Sequence, residues 1–538
     1  MNEFAPTLMK LSPIDFSIIG FYFAAVLLVG YYLKGKIHSS SDFLLSDRSF
    51  SHWITGIAFM SANLGSLEIM GHIANGAKYG MRTNHWYWVG AIPAMVFCGL
   101  FMVRYYYANG IRSVPEYLRM RFDQRAHALN SLSFAVVTVL MSGINMFAFA
   151  LVFRSMLGWS FTASILLSAG VVLIYTFWGG LASSIYNEVL QFFLIIIGFL
   201  PLSFIGLHEV GGWKGLVTRL PPQYLHTWKG MGGPGDPLGV DWWVVVIGLG
   251  LTAGPSYWCT DFLLVQRALA AKNLNAARKT PLVAAIPKML FPAVVTLLGM
   301  VALAVAPQIV TRDYNLALPM LLGRYYHSGL LGVGLTALLA SFMSGMAGNI
   351  TAFNTVFTYD LYQTYLVKNR PDAHYLRVGK LATVGGTLLG AVSAYIVLSF
   401  DNLMDYMQLI GILFISPYFI VFLLGMFWKR ASAAAGFYGM VAGTLGCFTE
   451  YLLYRLNILH FRTPMASNVW TAVWGLVAGL IVMVVVTYLT DPPPAESLKG
   501  LTYAYAAPLE KAGAWYRTPA FYGAVVIVGL IALNLKFF

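Results

Sequence analysis

The sequence predicts an all-α polytopic membrane protein, and three observations carry that prediction. Of its 538 residues, 58% are apolar or aromatic and only 10% are charged, where an ordinary soluble chain carries about 25% charged residues. The apolar runs are continuous over the length of a membrane-crossing helix, and about 14 of them fit into the chain. Two of those runs are interrupted by polar or helix-breaking residues. A membrane β-barrel is excluded, because its strands would alternate apolar and polar residues over about 10 positions. The 34 Lys and Arg against 21 Asp and Glu leave a net charge of +13. These basic residues cluster in short loops, so the charge sets topology in a lipid bilayer and does not indicate nucleic acid. Cys98, Cys259 and Cys447 lie inside apolar runs, as small buried hydrophobes with no disulfide framework or cysteine metal site.

In chain order, runs bounded by charge or by Gly and Pro place helices near 13–34, 53–75, 85–106, 127–156, 160–178, 185–207 and 241–266. Further helices fall near 281–306, 329–362, 378–400, 403–428, 434–455, 468–490 and 516–537. The first has span length and lacks a small-residue cleavage pattern, so it reads as a retained helix and not as a signal peptide. The basic loops at 112–125, 266–279, 368–377 and 429–430 all follow odd-numbered spans. The positive-inside rule makes that side cytoplasmic and puts both termini outside. The segment 208–240, rich in Gly and Pro, then faces outward.

The second span contains SANLGSLEIMG (61–71), which sets Asn63, Gly65, Ser66 and Glu68 at membrane depth. The seventh contains LTAGPSYWCTD (251–261), where the adjacent Gly254 and Pro255 are expected to break the helix, since Pro removes a backbone donor and clashes with the preceding turn. Irregular backbone at that depth is tolerated only where it lines a cavity or is buried in protein. Interrupted helices five spans apart point to two inverted five-helix units with a binding site at the breaks. The expected division is 1–50 as an extra helix and loop, 51–208 as the first repeat, 209–240 as the outer loop, 241–430 as the second repeat and 431–538 as peripheral helices.

An ionisable group inside a bilayer is costly unless paired or wetted, so each is a functional candidate with a partner to be named. These are Glu68, Glu188, Asp261 and Lys288. Glu188 is expected near a helix start, where a carboxylate complements the helix dipole, with a place on an ion path as the alternative. Asp261 is expected to bond either the backbone freed at the break or Arg267. In the ninth span, SFMSGMAGN places Ser341 and Ser344 three apart, on one helix face. Two hydroxyls with carbonyls freed at the second span's break suit a hard monovalent cation such as sodium. Small-residue helix packing explains the same spacing.

The stretches SANLGSLEIMG, GIRSVPEYLRMRF, GGLASSIYNEVLQ, YWCTDFLLVQRALAAKN, SFMSGMAGNITAFNTVFTYDLY and YMQLIGILFISPYFIVFLLGMFWKR, running from about residue 40 to 440, are together far more specific than any single motif. By them the chain resembles the sodium/solute symporter family, in particular its sodium/glucose cotransporter branch. The resemblance implies a leucine-transporter-type fold of five-plus-five inverted repeats with peripheral helices. It also implies sodium as the coupling ion, no organic cofactor, and a site in a plasma or bacterial inner membrane as a monomer or weak oligomer. The family's sodium site maps to the carbonyls of Ser61 and Leu64, the hydroxyls of Ser341 and Ser344, and position 345. The family usually has Ser or Thr at that last position, where this chain has Gly345. One hydroxyl is missing, which leaves sodium or proton coupling open.

The family's sugar-contacting positions map to Asn63, Glu68, Tyr87, Tyr257, Trp258, Lys288, Gln408 and Gly411. Glu68 stands where the cotransporters have Gln or His, and Tyr87 where they have Glu. The carboxylate has thus moved from the third span to the second while Lys288 is kept. Such a pocket suits a polyhydroxylated neutral solute, and it suits a cation or zwitterion as well. Lys288 either touches the solute or only orders helices through Glu68. The leading expectation is sodium-coupled secondary active uptake of a small organic solute, most simply a sugar or polyol, by alternating access, with proton-coupled or sodium-coupled uptake of a zwitterion, cation or carboxylate as the alternative. A membrane sensor would carry a soluble output domain, and a channel would favour a continuous pore over broken helices. No nucleophile elbow, phosphate loop or metal cluster indicates an enzyme.

Overall fold

Lipid offers the backbone no hydrogen-bond partner, so a chain of this composition folds as helices that satisfy themselves. The computed structural model describes residues 11–399, 406, 410–411, 418–506 and 514–538, with the side chains of 155 and 156 excepted. Among the described residues, nine helices are long and apolar enough to cross a membrane. The broken second and seventh spans and the shorter helices Tyr418–Phe427 and Ala433–Arg455 accompany them. The fold is of the leucine-transporter type, with two inverted five-helix repeats and peripheral helices.

Local chemistry starts the helices where the apolar runs begin. Ser12 and Asp15 form a capping box on Pro13–Lys34. Asp15 Oδ1 also accepts from the backbone N–H of Gly329 at 2.8 Å and of Gly332 at 2.7 Å, which docks the first span on the start of the ninth. Ser113, Asp123, Ser160, Asn273, Ser432 and Thr463 cap later helices, each side chain accepting from the backbone N–H three residues on. The ninth span, Leu330–Leu366, is the centre of the molecule and is almost wholly buried. The first, sixth, tenth and fourteenth spans expose Phe21, Phe204, Leu381 and Leu535 on their outer faces, as hydrocarbon would require and water would not. Segment 208–240 carries the short helix Gly212–Arg219. It is pinned by the buried Arg82, which donates to Asp236 Oδ1 at 3.0 Å and to the carbonyls of His226 and Lys229 at 2.9 and 2.6 Å.

Two expectations need correction. The fifth and sixth spans are not separated by a loop, because Phe161–Glu209 turns at the single residue Gly180, with φ +53° and ψ −143°. A Cβ there would lie 2.3 Å from the Phe43 carbonyl oxygen. Gly180→Ala therefore meets both a strained backbone and a backbone clash, and should cost about 1–3 kcal/mol. A thermal midpoint in detergent equal to that of the parent would contradict this.

The second correction concerns the seventh span. Gly254 and Pro255 do not break it, since Gly254 is helical at φ −59°, ψ −58° and continues the wide π-helical turns Val246–Ala253. Those turns shift the register of the hydrogen bonds just ahead of the proline, which accommodates its missing donor. Gly254 serves close packing instead, because a Cβ on it would lie 2.0 Å from the Gly90 carbonyl oxygen of the third span. The helix stops at Asp261, extended at φ −71°, ψ 116°, before Phe262–Leu269 resumes.

Candidate functional site

The second span runs as helix over His52–Asn63 and halts at Leu64, with φ −75° and ψ 46°. A wide turn, Leu67–Gly71, leads into His72–Tyr79. The ninth span crosses this break. Ser341 Oγ donates to the Leu64 carbonyl at 2.6 Å and Ser344 Oγ to the Ser61 carbonyl at 2.9 Å, with the two hydroxyls of Ser61 and Ser344 3.2 Å apart. Ser61, Leu64, Ser341 and Ser344 are fully buried. Hydroxyls and carbonyls of two helices thus converge in one oxygen-rich knot with no soft or cationic group in it, the donor type that suits a hard monovalent cation.

At Gly345 the structure brings in a residue that sequence reasoning missed. A Cβ on Gly345 would lie 2.9 Å from Asn145 Oδ1, and one on Gly65 would lie 2.6 Å from the same atom. That oxygen accepts from the Ser66 N–H at 2.9 Å, while the amide nitrogen donates to the Met141 carbonyl at 2.9 Å. The two glycines make room for one amide from the fourth span, wedged between the break and the ninth span. Restoring a side chain with Gly345→Ser should overpack this wedge, costing about 1–3 kcal/mol. Asn145→Ala in the same chain should return most of the loss. If Gly345→Ser melts at the parent's temperature, the wedge is not tight.

On the far side of the break, Lys288 of the eighth span forms a buried ion pair with Glu68 and donates to Asn63 Oδ1 at 2.5 Å. Asn63 Nδ2 donates to the Tyr257 hydroxyl at 3.0 Å. The ammonium lies 4.7 Å from the Tyr87 ring centre and 5.2 Å from that of Trp258. The Tyr87 hydroxyl is buried and interacts with the Glu68 carboxylate, and His72 Nδ1 lies 3.9 Å from Glu68 Oε2. Asn63, Glu68, Tyr87, Tyr257, Trp258 and Lys288 therefore form one cluster of polar groups and aromatic faces, in which the two charges offset each other. Gln408 lies outside the described residues.

Glu188 and Asp261 stand apart from that cluster. The expected helix-start role for Glu188 is corrected, because the junction is at Gly180 and Glu188 lies about two turns further on. It is fully buried and pairs with Arg267, which reaches Oε1 through Nη2 and Oε2 through Nε at 3.1 Å. Arg267 also donates to the Leu263 carbonyl at 2.7 Å and to Gln266 Oε1 at 3.0 Å. Of the two partners considered for Asp261, the structure shows freed backbone: Oδ1 accepts from the Leu263 N–H at 2.8 Å, and Arg267 is engaged elsewhere. Partners this distant in sequence leave no spacing signal by which Glu188 and Arg267 could have been matched.

A family model described as Sodium:solute symporter family matches residues 43–443. The chain is similar to the sodium/glucose cotransporter 2 of Rattus norvegicus, 28% identical over 482 residues, covering 81% of this chain and 71% of the relative. It is similar to the sodium/myo-inositol cotransporter 2 of Oryctolagus cuniculus, 28% identical over 545 residues, covering 92% of this chain and 79% of the relative. Among solved structures, it resembles a Na+-coupled sialic acid symporter in its substrate-bound outward-open state, with a TM-score of 0.77 at 21% identity. That match covers 90% of this chain and 99% of the other, and it bears on the fold alone.

Proposed function

The chain belongs to the sodium:solute symporter family, and from that premise we propose that it couples downhill sodium entry to uptake of a neutral sugar or polyol across a cell membrane. The observation that carries this reading is the double use of one interrupted segment. Residues 61 and 64 present carbonyls to the ninth-span serines, while residues 63 and 68, between and just beyond them, meet Lys288 on the solute side. A cation drawing Ser61, Leu64, Ser341 and Ser344 together fixes the geometry of the break and thereby the placement of Asn63 and Glu68. Each ligand then favours the conformer the other binds, which is the coupling that symport requires. Asn145 supplies the polar oxygen at Gly345 that a serine would otherwise bring.

Within the solute pocket, Glu68 and Lys288 cancel in charge, so a neutral solute with several hydroxyls gains acceptors and donors without adding an uncompensated charge. The faces of Tyr87 and Trp258 suit the apolar face of a ring. The rat and rabbit relatives are named for sodium-coupled glucose and myo-inositol transport, which supports the same solute class. The protein works as a multi-pass monomer or weak oligomer with both termini outside, a transporter and not an enzyme.

The test is uptake by proteoliposomes offered labelled sugars, polyols, amino acids and carboxylates under an imposed sodium or proton gradient. Accumulation of a sugar or polyol under the sodium gradient is expected. Accumulation driven by protons alone, or of a carboxylate or amino acid only, would overturn the reading.

A further inference from the structure

Where the second, eighth and fourteenth spans begin, on the side that the positive-inside rule makes cytoplasmic, the protein gathers positive charge that it does not balance. Lys279 of the eighth span is only 7% exposed, and its ammonium lies 5.4 Å from the centre of the Tyr522 ring at the start of the fourteenth. His52 of the second span meets the same tyrosine edge to face, at 6.4 Å between ring centres. Arg517 lies within electrostatic reach of Lys279, and Lys272 and Lys279 lie within reach of His52. Arg278 donates only to the carbonyls of Gly99 and Leu100 in the third span, at 3.3 and 3.0 Å, which leaves its charge without a counter-ion. Among the described residues, none of the cations Lys272, Arg278, Lys279 and Arg517 pairs with a carboxylate. On the same side Arg112 and Arg119 lean on Glu116, Arg125 on Asp123 and Lys499 on Glu496.

From these charges the same helices continue as apolar faces turned outward. On the eighth span the exposed Ile286 and Leu290 follow Lys279 at helical spacing, which returns them to its face. On the fourteenth, Phe521, Val525 and Val528 share a face, with both valines exposed. Trp53 and Trp515 stand exposed beside the charges, the latter edge to face with Phe521 at 5.1 Å, as indoles do at a membrane–water boundary. Cations at the boundary with aliphatic stripes leading into the bilayer match one kind of molecule, with an anionic head and apolar tails. A phosphate ester supplies the missing negative charge and accepts from ammonium and guanidinium groups. A zwitterionic headgroup would bring a cation of its own into the cluster, and a soluble anion would leave the stripes uncovered.

We propose that this corner binds an anionic phospholipid of the cytoplasmic leaflet, its phosphate held by Lys279, Arg517 and Lys272 and its acyl chains laid along the eighth and fourteenth spans. The site is separate from the Glu68–Lys288 pocket and from the knot at Ser341, and it stands whether or not the symport reading does. The lipid joins the starts of three spans at a place where like charges would otherwise push them apart.

The test is the thermal midpoint of the purified protein in detergent, titrated with phosphatidylglycerol, with phosphatidylcholine of the same acyl chains, or with glycerol phosphate. Phosphatidylglycerol should raise the parent's midpoint saturably, and the other two should not. Lys279→Gln with Arg517→Gln, each compared with its own lipid-free midpoint, should need about tenfold more phosphatidylglycerol for half the shift. Arg517→Gln alone, at an exposed position, carries the test with a severalfold change if the double variant does not fold. Lys279→Arg keeps the charge and should respond as the parent does. So should Lys429→Gln with Arg430→Gln, which removes two cations from the same side at another helix end. An equal shift from phosphatidylcholine or from glycerol phosphate overturns the assignment to an anionic lipid. An unchanged titration in the Lys279 and Arg517 variants, or an equal weakening in the Lys429 and Arg430 variant, overturns the site.

Discussion

Replacing Glu68 with glutamine is expected to abolish saturable solute uptake. The side chains of Glu68 and Lys288 are 7% and 2% exposed, and removing one partner of such a pair leaves the other charge buried and uncompensated, which costs about 3–5 kcal/mol. Lys288 would keep neutral acceptors, Asn63 Oδ1 and the amide oxygen of the new glutamine, and the faces of Tyr87, Trp258 and Phe291, with no carboxylate to balance its charge. Part of the loss is therefore expected in stability and part in binding, and a second variant separates them. Glu68→Gln with Lys288→Met removes both charges, so the thermal midpoint should recover while uptake stays absent if the pair contacts the solute. Should the double variant transport with the parent's KM, the pair only orders helices and the solute lies elsewhere. Uptake by the single variant at the parent's rate would defeat the assignment of Glu68 outright.

What the sequence discloses about this fold divides along physical lines. The spans are legible because hydrocarbon demands long apolar runs, and Ser12, Asp123 and Thr463 mark starts by capping. The break at Leu64 is legible because Asn63, Gly65, Ser66 and Glu68 have no reason to sit together in lipid. The seventh span misleads for a specific reason. Its proline signals a lost hydrogen bond, but a local widening of the helix absorbs that loss, and the true stop at Asp261 carries only the weaker mark of a capping aspartate. Asn145 escapes a search for ionisable groups because it is neutral, and only its contact with two glycines on other helices reveals it. Gly180 reads as one of many membrane glycines until its φ of +53° shows that it alone makes the turn.

Arg267→Met is the other change from which a large effect is expected, and it acts away from the solute pocket. Glu188, fully buried, would lose both of its contacts from the guanidinium and keep the Ser184 hydroxyl at 2.7 Å as its remaining donor. The same side chain donates to the Leu263 carbonyl and reaches Thr351 Oγ1 at 3.4 Å, so a single group joins the sixth, seventh and ninth spans. The uncompensated carboxylate should again cost about 3–5 kcal/mol, visible as a lowered thermal midpoint and aggregation on size exclusion in detergent. Arg267→Lys should recover little, because an ammonium cannot reproduce the fork of contacts to two carboxylate oxygens and a carbonyl. Arg267→Met with Glu188→Leu should recover most of the stability, since an apolar pair of similar volume avoids the desolvation of two charges. If that double variant folds but has lost uptake, the pair does more than hold three helices together: its polar contacts must exchange as one bundle rocks against the other. If it folds and transports at the parent's rate, Glu188 and Arg267 are a clamp, and the ion's route inward runs past them without using them.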